Sequence, residues 1–171
     1  MKIKQHDRIL DPQKQNELWN FYHEIFAPVN ENTPLAQSLD RRRFMSWLKS
    51  SRASKFLATD ENGQLIGLAI ISSDLRHDPL ISIPYFKKHF PNRRIFHTPV
   101  IAVPRELAGQ KISNRLIRTI MLGLPLDALA IFFHSEGTNP LIPRLIERSC
   151  APRVKSQRLD SMGCVLLHMV S

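Results

Sequence analysis

Cysteine is scarce in this chain: Cys150 and Cys164 are the only two in 171 residues. Two thiols cannot form a disulfide scaffold, and they are not in a Cys-x-x-Cys arrangement, which argues against a zinc site. A reducing, cytoplasmic setting with two plain thiols is therefore expected, and no metal. No apolar run approaches the roughly 20 residues needed to cross a bilayer. The opening MKIKQHDR lacks the apolar stretch of a secretory signal, so neither membrane association nor secretion is expected. Tyrosine is also rare, present only as Tyr22 and Tyr85. Internal repeats, low-complexity tracts and linkers are missing, so residues 1–171 are read as one domain, long enough to bury a core without cross-links.

Acidic residues are the minority. There are 24 Lys and Arg against 15 Asp and Glu, a net charge of +9. Such an excess favours anionic partners: a cofactor with phosphates, an acidic substrate, or nucleic acid. The charge is scattered, with short runs at Arg41-Arg42-Arg43, Lys87-Lys88 and Arg93-Arg94. Without a focused basic and aromatic face, nucleic acid is the disfavoured member of that group.

Taken in order, Lys2–His6 reads as a short strand. Asp11-Pro12 supplies a cap and a first-turn proline for a helix with Leu18, Phe21, Tyr22 and Ile25 on one side, expected to break near Pro28. Trp19, Tyr22 and Phe26 fit core packing better than a ligand site. Thr33-Pro34 could open a further turn. Asp40 starts a second helix, with Leu39 and Phe44 at the spacing of a hydrophobic staple and Phe44, Trp47 and Leu48 as its buried face. Strands at Lys55–Thr59 and Leu65–Ser72 are joined through Asp60-Glu61-Asn62-Gly63, a hairpin signal, and Gly67 suggests a bulge or a close approach. Residues 74–93, rich in proline, hold a short helix from about Pro84 to Phe90. Near the end come a helix over Asn139–Cys150 and two antiparallel strands, Val154–Leu159 and Gly163–Val170.

The centre of the chain is Arg94–Leu124. Ile95–Val103 is β-branched and aromatic, as buried strands are. Ile112, Leu116, Ile120 and Leu124, with Ile117 and Met121 alongside, form the apolar stripe of a helix. The loop between, Pro104–Gln110 with Gly109 inside it, leads into a helix start whose free N–H groups and dipole suit a phosphate. Another apolar strand follows at Ala128–His134, so the two strands form a parallel pair with a right-handed crossover. Pro99 within the first strand implies an edge or a bulge that opens a slot.

This order of elements resembles the GNAT superfamily of acyl-CoA-dependent N-acyltransferases. The resemblance implies a mixed α/β (α+β) fold: a mostly antiparallel central sheet flanked by helices, with one splayed parallel pair. It implies that acetyl-CoA or another acyl-CoA lies between those strands, and that an amine of a small molecule or peptide accepts the acyl group. The family's pyrophosphate pattern falls on Ala108, Lys111 and Ser113, none of which matches it. Val103, Gly109, Ile112 and Asn139 do correspond. The cofactor-binding set implied is Ile101, Val103, Ala108, Gly109, Gln110, Lys111, Ile112, Ser113 and Asn139. The resemblance also places the 74–93 stretch where it could cover the acceptor entrance.

The family often protonates the leaving thiolate with a tyrosine on the last helix, and here that place is Ile146. His134, followed by Ser135, is the substitute at the mouth of the slot. His97 and Thr98 lie on the first strand, where alternation sends them to opposite faces. These three are the catalytic candidates; an imidazole can serve as acid or base near neutral pH. Cys150 reads as a buried inert thiol. Two other functions stay open: a non-catalytic module that binds CoA or another ligand, and a related enzyme with different acyl-thioester chemistry such as decarboxylation. The sequence leaves a homodimer open.

Overall fold

The computed structural model describes residues 1–32, 38–78, 80–133, 142–150, 154–160 and 164–169. Seven strands are joined in the order β1-β2-β3-β4-β5-β7-β6. They are β1 Lys2–His6, β2 Ala53–Thr59, β3 Leu65–Ser72, β4 Arg94–Ala102, β5 Ala128–Phe133, β6 Val154–Asp160 and β7 Cys164–Met169. The β1–β2, β5–β7 and β6–β7 ladders are antiparallel, and the β4–β5 ladder is parallel. The expected mixed, mostly antiparallel sheet with one parallel pair is therefore present. The helices are α1 Pro12–Asn32, α2 Arg41–Lys49, α3 Ile83–His89, α4 Ile112–Gly123 and α5 Ile142–Cys150. None is long and apolar enough to cross a membrane.

The chain divides into two compact units. One comprises Met1–Ile70 and Val100–Leu116, the other Ile71–Pro99 and Ile117–Ser171. In the first, Asp11 caps α1 by accepting from the Gln13 N–H at 3.0 Å, and Asp40 caps α2 by accepting from the Arg43 N–H at 2.8 Å. The expected break near Pro28 does not occur, since α1 continues to Asn32. Proline removes one donor, and the turn before it is held by packing: Tyr22 stacks on Phe26 and on Phe44 at centroid distances of 4.6 and 4.7 Å. Those rings lie in a core with Leu18, Trp47, Leu48, Leu57, Leu68 and Ile70, so the aromatic residues of α1 serve packing. The Asp60–Gly63 turn is held by the Asp60 carboxylate, which accepts from the N–H groups of Asn62 and Gln64 at 2.9 and 2.8 Å. Gly63 closes it at φ 82, a left-handed backbone that glycine adopts freely. Gly67 marks a close approach: a Cβ there would lie 3.0 Å from Ile112 Cγ2 and 3.0 Å from Leu116 Cδ1.

The first unit also contains a lysine that is wholly buried. Lys55 Nζ donates to the carbonyls of Asp7, Ser50 and Ala53 at 2.7, 2.6 and 2.7 Å. All three of its N–H bonds are thereby used. Burial pushes its pKa down to about 8, against the pull of Asp7.

In the second unit, Ile81 and Phe86 pack on Leu129 and Ile131, with Leu75, Phe90, Ile95 and Phe133 around them. The short helix expected in the 74–93 stretch is α3, capped by Ser82, whose hydroxyl accepts from the Tyr85 N–H. A guanidinium clamp fixes the start of the parallel pair. Arg93 donates to the carbonyls of Asp127 and Ala128, and Arg94 Nε donates to both Asp127 carboxylate oxygens at 3.0 Å. That hydrogen bond holds the Asp127 carboxyl below its ordinary range.

Candidate functional site

The loop from Val103 to Ser113 lies within the first unit. Pro104 ends β4, and Arg105–Leu107 form a single 3-10 turn. Successive tight turns use three N–H groups: Leu107 donates to Pro104 O at 3.1 Å, Ala108 to Arg105 O at 3.0 Å, and Gln110 to Leu107 O at 3.2 Å. Two residues then enter left-handed backbone, Gly109 at φ 88 and Lys111 at φ 60. Glycine pays no steric penalty there, whereas lysine does. The first α-helical bond runs from the Arg115 N–H to Lys111 O at 3.0 Å, which makes Lys111 the residue that caps α4. Lysine has no side-chain oxygen with which to cap, so it cannot satisfy the N–H groups of Ile112, Ser113 and Asn114 that open the helix.

The surroundings keep this helix start open. Ile112 is buried against Gly67, which anchors the first turn of α4. Ala108, Gly109, Gln110 and Lys111 are exposed, and nothing lies within 4 Å of the position a Gly109 Cβ would take. Ser113, Ile101 and Val103 are half-buried. Arg105 and Lys111 add two exposed cations to the segment against the single carboxylate of Glu106. Free N–H groups, the positive end of a 12-residue helix and a cationic rim make a fitting cradle for a phosphate group.

The β4–β5 ladder lies in the second unit. Among the described residues its rungs run from Arg94↔Ala128 to Thr98↔Phe132, and β4 itself extends to Ala102. Pro99, which cannot donate to a ladder, comes immediately after that rung. Because β4 has strands on both sides, the edge explanation for Pro99 does not hold.

His97 and Thr98 are both buried but face opposite ways, as alternation required. His97 shares a rung with Ile131, on the face covered by Ile81 and Phe86. Its Nδ1 lies 3.4 Å from Asp78 Oδ2, an acid supplied by the 74–93 stretch. Thr98 shares a rung with Phe132. Its Oγ1 has no hydrogen-bond partner among the described residues.

His134, Ser135 and Asn139 lie outside the described residues. Ile146, where the family's tyrosine would stand, is wholly buried in α5. Cys150 is buried nearby in the chain, and burial pushes its thiol up to about 11, which makes it a poor nucleophile. Among the described residues, no group of His, Cys, Asp and Glu is arranged to hold a metal ion.

Sequence reasoning missed the Asp78–His97 pair, the Lys55 cluster and the arginine clamp. The clamp had a readable signal, since Arg94 and Asp127 stand at the same end of two strands expected to be parallel. Asp78 and Lys55 find their partners through tertiary folding, which no local pattern encodes.

No family model matches the sequence, and neither does any curated protein. Solved structures do match. A GNAT-family acetyltransferase from Listeria monocytogenes superposes with a TM-score of 0.61 at 15% identity, over 96% of this chain and 92% of that one. Arabidopsis thaliana NAA60, crystallised with acetyl-CoA, gives 0.60 at 15% identity over 99% of both chains. Tetrahymena GCN5 gives 0.58 at 8% identity over 100% of this chain and 97% of that one. At such identities the likeness carries the architecture, and with the parallel pair and the strand order already described, it establishes that this chain has the GNAT fold.

Proposed function

We propose that this protein is an acyl-CoA-dependent N-acyltransferase that moves an acyl group, acetyl in the simplest case, to an amine of a small molecule or peptide in the cytoplasm. Residues 1–171 act in this reading as one functional domain. The observation that carries it is the open start of α4: a loop with two left-handed residues, and a capping lysine that cannot satisfy the helix's first N–H groups. CoA phosphates would be held there by the backbone of Ala108 to Ser113, with Lys111 adding charge. Backbone donors tolerate any side chain, which accounts for a loop that departs from the family pattern at Ala108, Lys111 and Ser113. Ile101, Val103 and Asn139 complete the cofactor-binding set in this reading. When bound, the cofactor supplies an activated acyl thioester.

The chain's own share is to move protons. The acceptor amine must lose one and the leaving thiolate must gain one. With tyrosine absent from α5, His134 takes that role, and His97 is next in line. His97 is wholly buried beside Asp78, so an acceptor could reach it only if the 74–93 stretch moved.

Isothermal calorimetry with CoA and acetyl-CoA tests the placement. The parent should bind both. Gly109→Val should bind them more weakly, because valine at φ 88 distorts the turn and fills the open side of the loop. Equal binding by Gly109→Val would show that the phosphates lie elsewhere. The buried Ile146 favours a second reading, a domain that binds CoA without catalysing transfer. Turnover assays with mixed amines separate the two.

A further inference from the structure

We infer that the outer face of α3, with Leu80 just ahead of it, is a docking surface for an acidic peptide segment that also carries apolar side chains. The surface lies wholly in the second unit and does not depend on the acyl-CoA reading.

The sequence has three short cationic runs, and the structure separates them. In the first, Arg41 donates to Asn16 Oδ1 at 2.8 Å and Arg43 pairs with Asp40. In the last, Arg93 donates to the carbonyls of Asp127 and Ala128, and Arg94 pairs with the Asp127 carboxylate. Lys87 and Lys88 are exposed, and neither ammonium has an ion-pair partner among the described residues. No Asp or Glu of residues 71–94 is exposed: Asp74 is buried and held by Arg76, and Asp78 is half-buried beside His97. The helix dipole favours cations in a last turn, which accounts for Lys87, Lys88 and His89 one by one. It gives no reason for Leu80 and Tyr85, which are 63% and 41% exposed in the same stretch. Ile81 and Phe86 already fill the inward side against Leu129 and Ile131. Covering Leu80 and Tyr85 therefore takes a partner from outside.

Geometry and charge select that partner. Successive helix residues point about 100° apart, so Lys87 and Lys88 diverge and do not converge on one phosphate. They match negative charges spread along a chain. Single-stranded nucleic acid would stack successive bases on successive rings. Here Tyr85 packs on His89 with centroids 4.4 Å apart, and Phe86 is buried. An acidic peptide meets both requirements: carboxylates face the lysines, and apolar side chains cover Leu80 and Tyr85.

Fluorescence anisotropy tests this by titrating the full chain against a dye-labelled peptide of glutamates with two leucines. Its counterpart has glutamine in place of every glutamate. The acidic peptide should bind, more weakly as salt rises, and the glutamine peptide should not. Lys87→Glu combined with Lys88→Glu should weaken binding by at least about tenfold, through lost pairs and new repulsion. Arg41→Glu with Arg42→Glu makes the same change in net charge in the first unit and should alter binding by less than about twofold. Tyr85→Ala and Leu80→Ser should each weaken it by at least about threefold, which charge alone would not produce. Should the double charge reversal not fold, Lys87→Gln with Lys88→Gln carries the same comparison. Equal binding of the two peptides, no binding of either, or equal losses from the two double reversals would overturn the inference. So would tighter binding to phosphatidylserine vesicles, or to single-stranded DNA, than to the peptide through these same residues.

Discussion

Replacing Lys55 by methionine keeps the length of the side chain and removes its three donors. The carbonyls of Asp7, Ser50 and Ala53, now 2.6–2.7 Å from Nζ, would lose their partner inside a buried site. Hydrogen bonds to a charged group contribute roughly 1.5–3 kcal/mol each, so the gross loss is roughly 5–9 kcal/mol. Against this, the ammonium no longer has to be desolvated. Its pKa falls from 10.5 to about 8, which corresponds to about 3 kcal/mol at 1.36 per unit. The net destabilisation expected at pH 7 is therefore roughly 2–6 kcal/mol, a large share of the 5–15 kcal/mol by which domains are typically stable. Urea unfolding at 25 °C, read from the midpoint at constant slope, measures it. The sign of the pH dependence is fixed by the depressed pKa. Between pH 8 and 10.5 the unfolded chain binds more protons at Lys55 than the folded one, so this residue's contribution rises with pH across that window and is lost as pH falls through 8. The gap between parent and Lys55→Met should widen from pH 8 towards pH 10. A loss below about 1 kcal/mol would mean that water or a small shift satisfies the three carbonyls. A gap that narrows with pH would mean that the carbonyls hold the ammonium more strongly than burial opposes it.

Other perturbations test separate parts of the structure. Gly67→Ala puts a Cβ 3.0 Å from Ile112 and Leu116 side-chain carbons, and thermal unfolding should show a loss of about 1–3 kcal/mol from overpacking. Asp40→Ala removes the acceptor for the Arg43 N–H and should destabilise by about 1 kcal/mol in urea; an unchanged midpoint would mean the cap is dispensable. Lys111→Ala should weaken CoA binding in calorimetry by about 1 kcal/mol or less, since an exposed ammonium contributes little beside backbone donors. His134→Gln should lower kcat by at least roughly 100-fold while leaving CoA affinity within about threefold. Parent-like turnover by that variant would make His134 structural.

Features that were legible in the sequence are those fixed by neighbours in the chain. Asp11-Pro12 and Asp40 cap helices because a short side-chain oxygen reaches N–H groups two or three residues on. Asn62-Gly63 turns the chain because glycine accepts positive φ. The four-residue recurrence from Ile112 to Ile120 gives α4 its buried stripe. Pro28 misled because its penalty is one lost donor, whereas the stacked rings that hold α1 include Phe44, 18 positions beyond Phe26. Lys55 would be placed on the outward face by its charge alone; only its acceptors, one of them 48 positions away, allow it inside. The turn ahead of α4 was legible from its glycine and the helix that follows. The left-handed turn at Lys111 was not legible, since lysine carries no signal for it.

The register of β1 sets an order of events during synthesis. Lys2 pairs with Thr59, 57 positions later, whereas the β2–β3 hairpin closes across Asp60–Gly63. Closing the longer loop costs about 4 kcal/mol of chain entropy, some 2 kcal/mol more than closing the six positions from Thr59 to Leu65. As the chain leaves the ribosome, β1 emerges ahead of its partner and waits until α1, α2 and β2 have followed it. Through that interval Lys2 and Lys4 keep the waiting edge charged, a safeguard against pairing with another nascent chain.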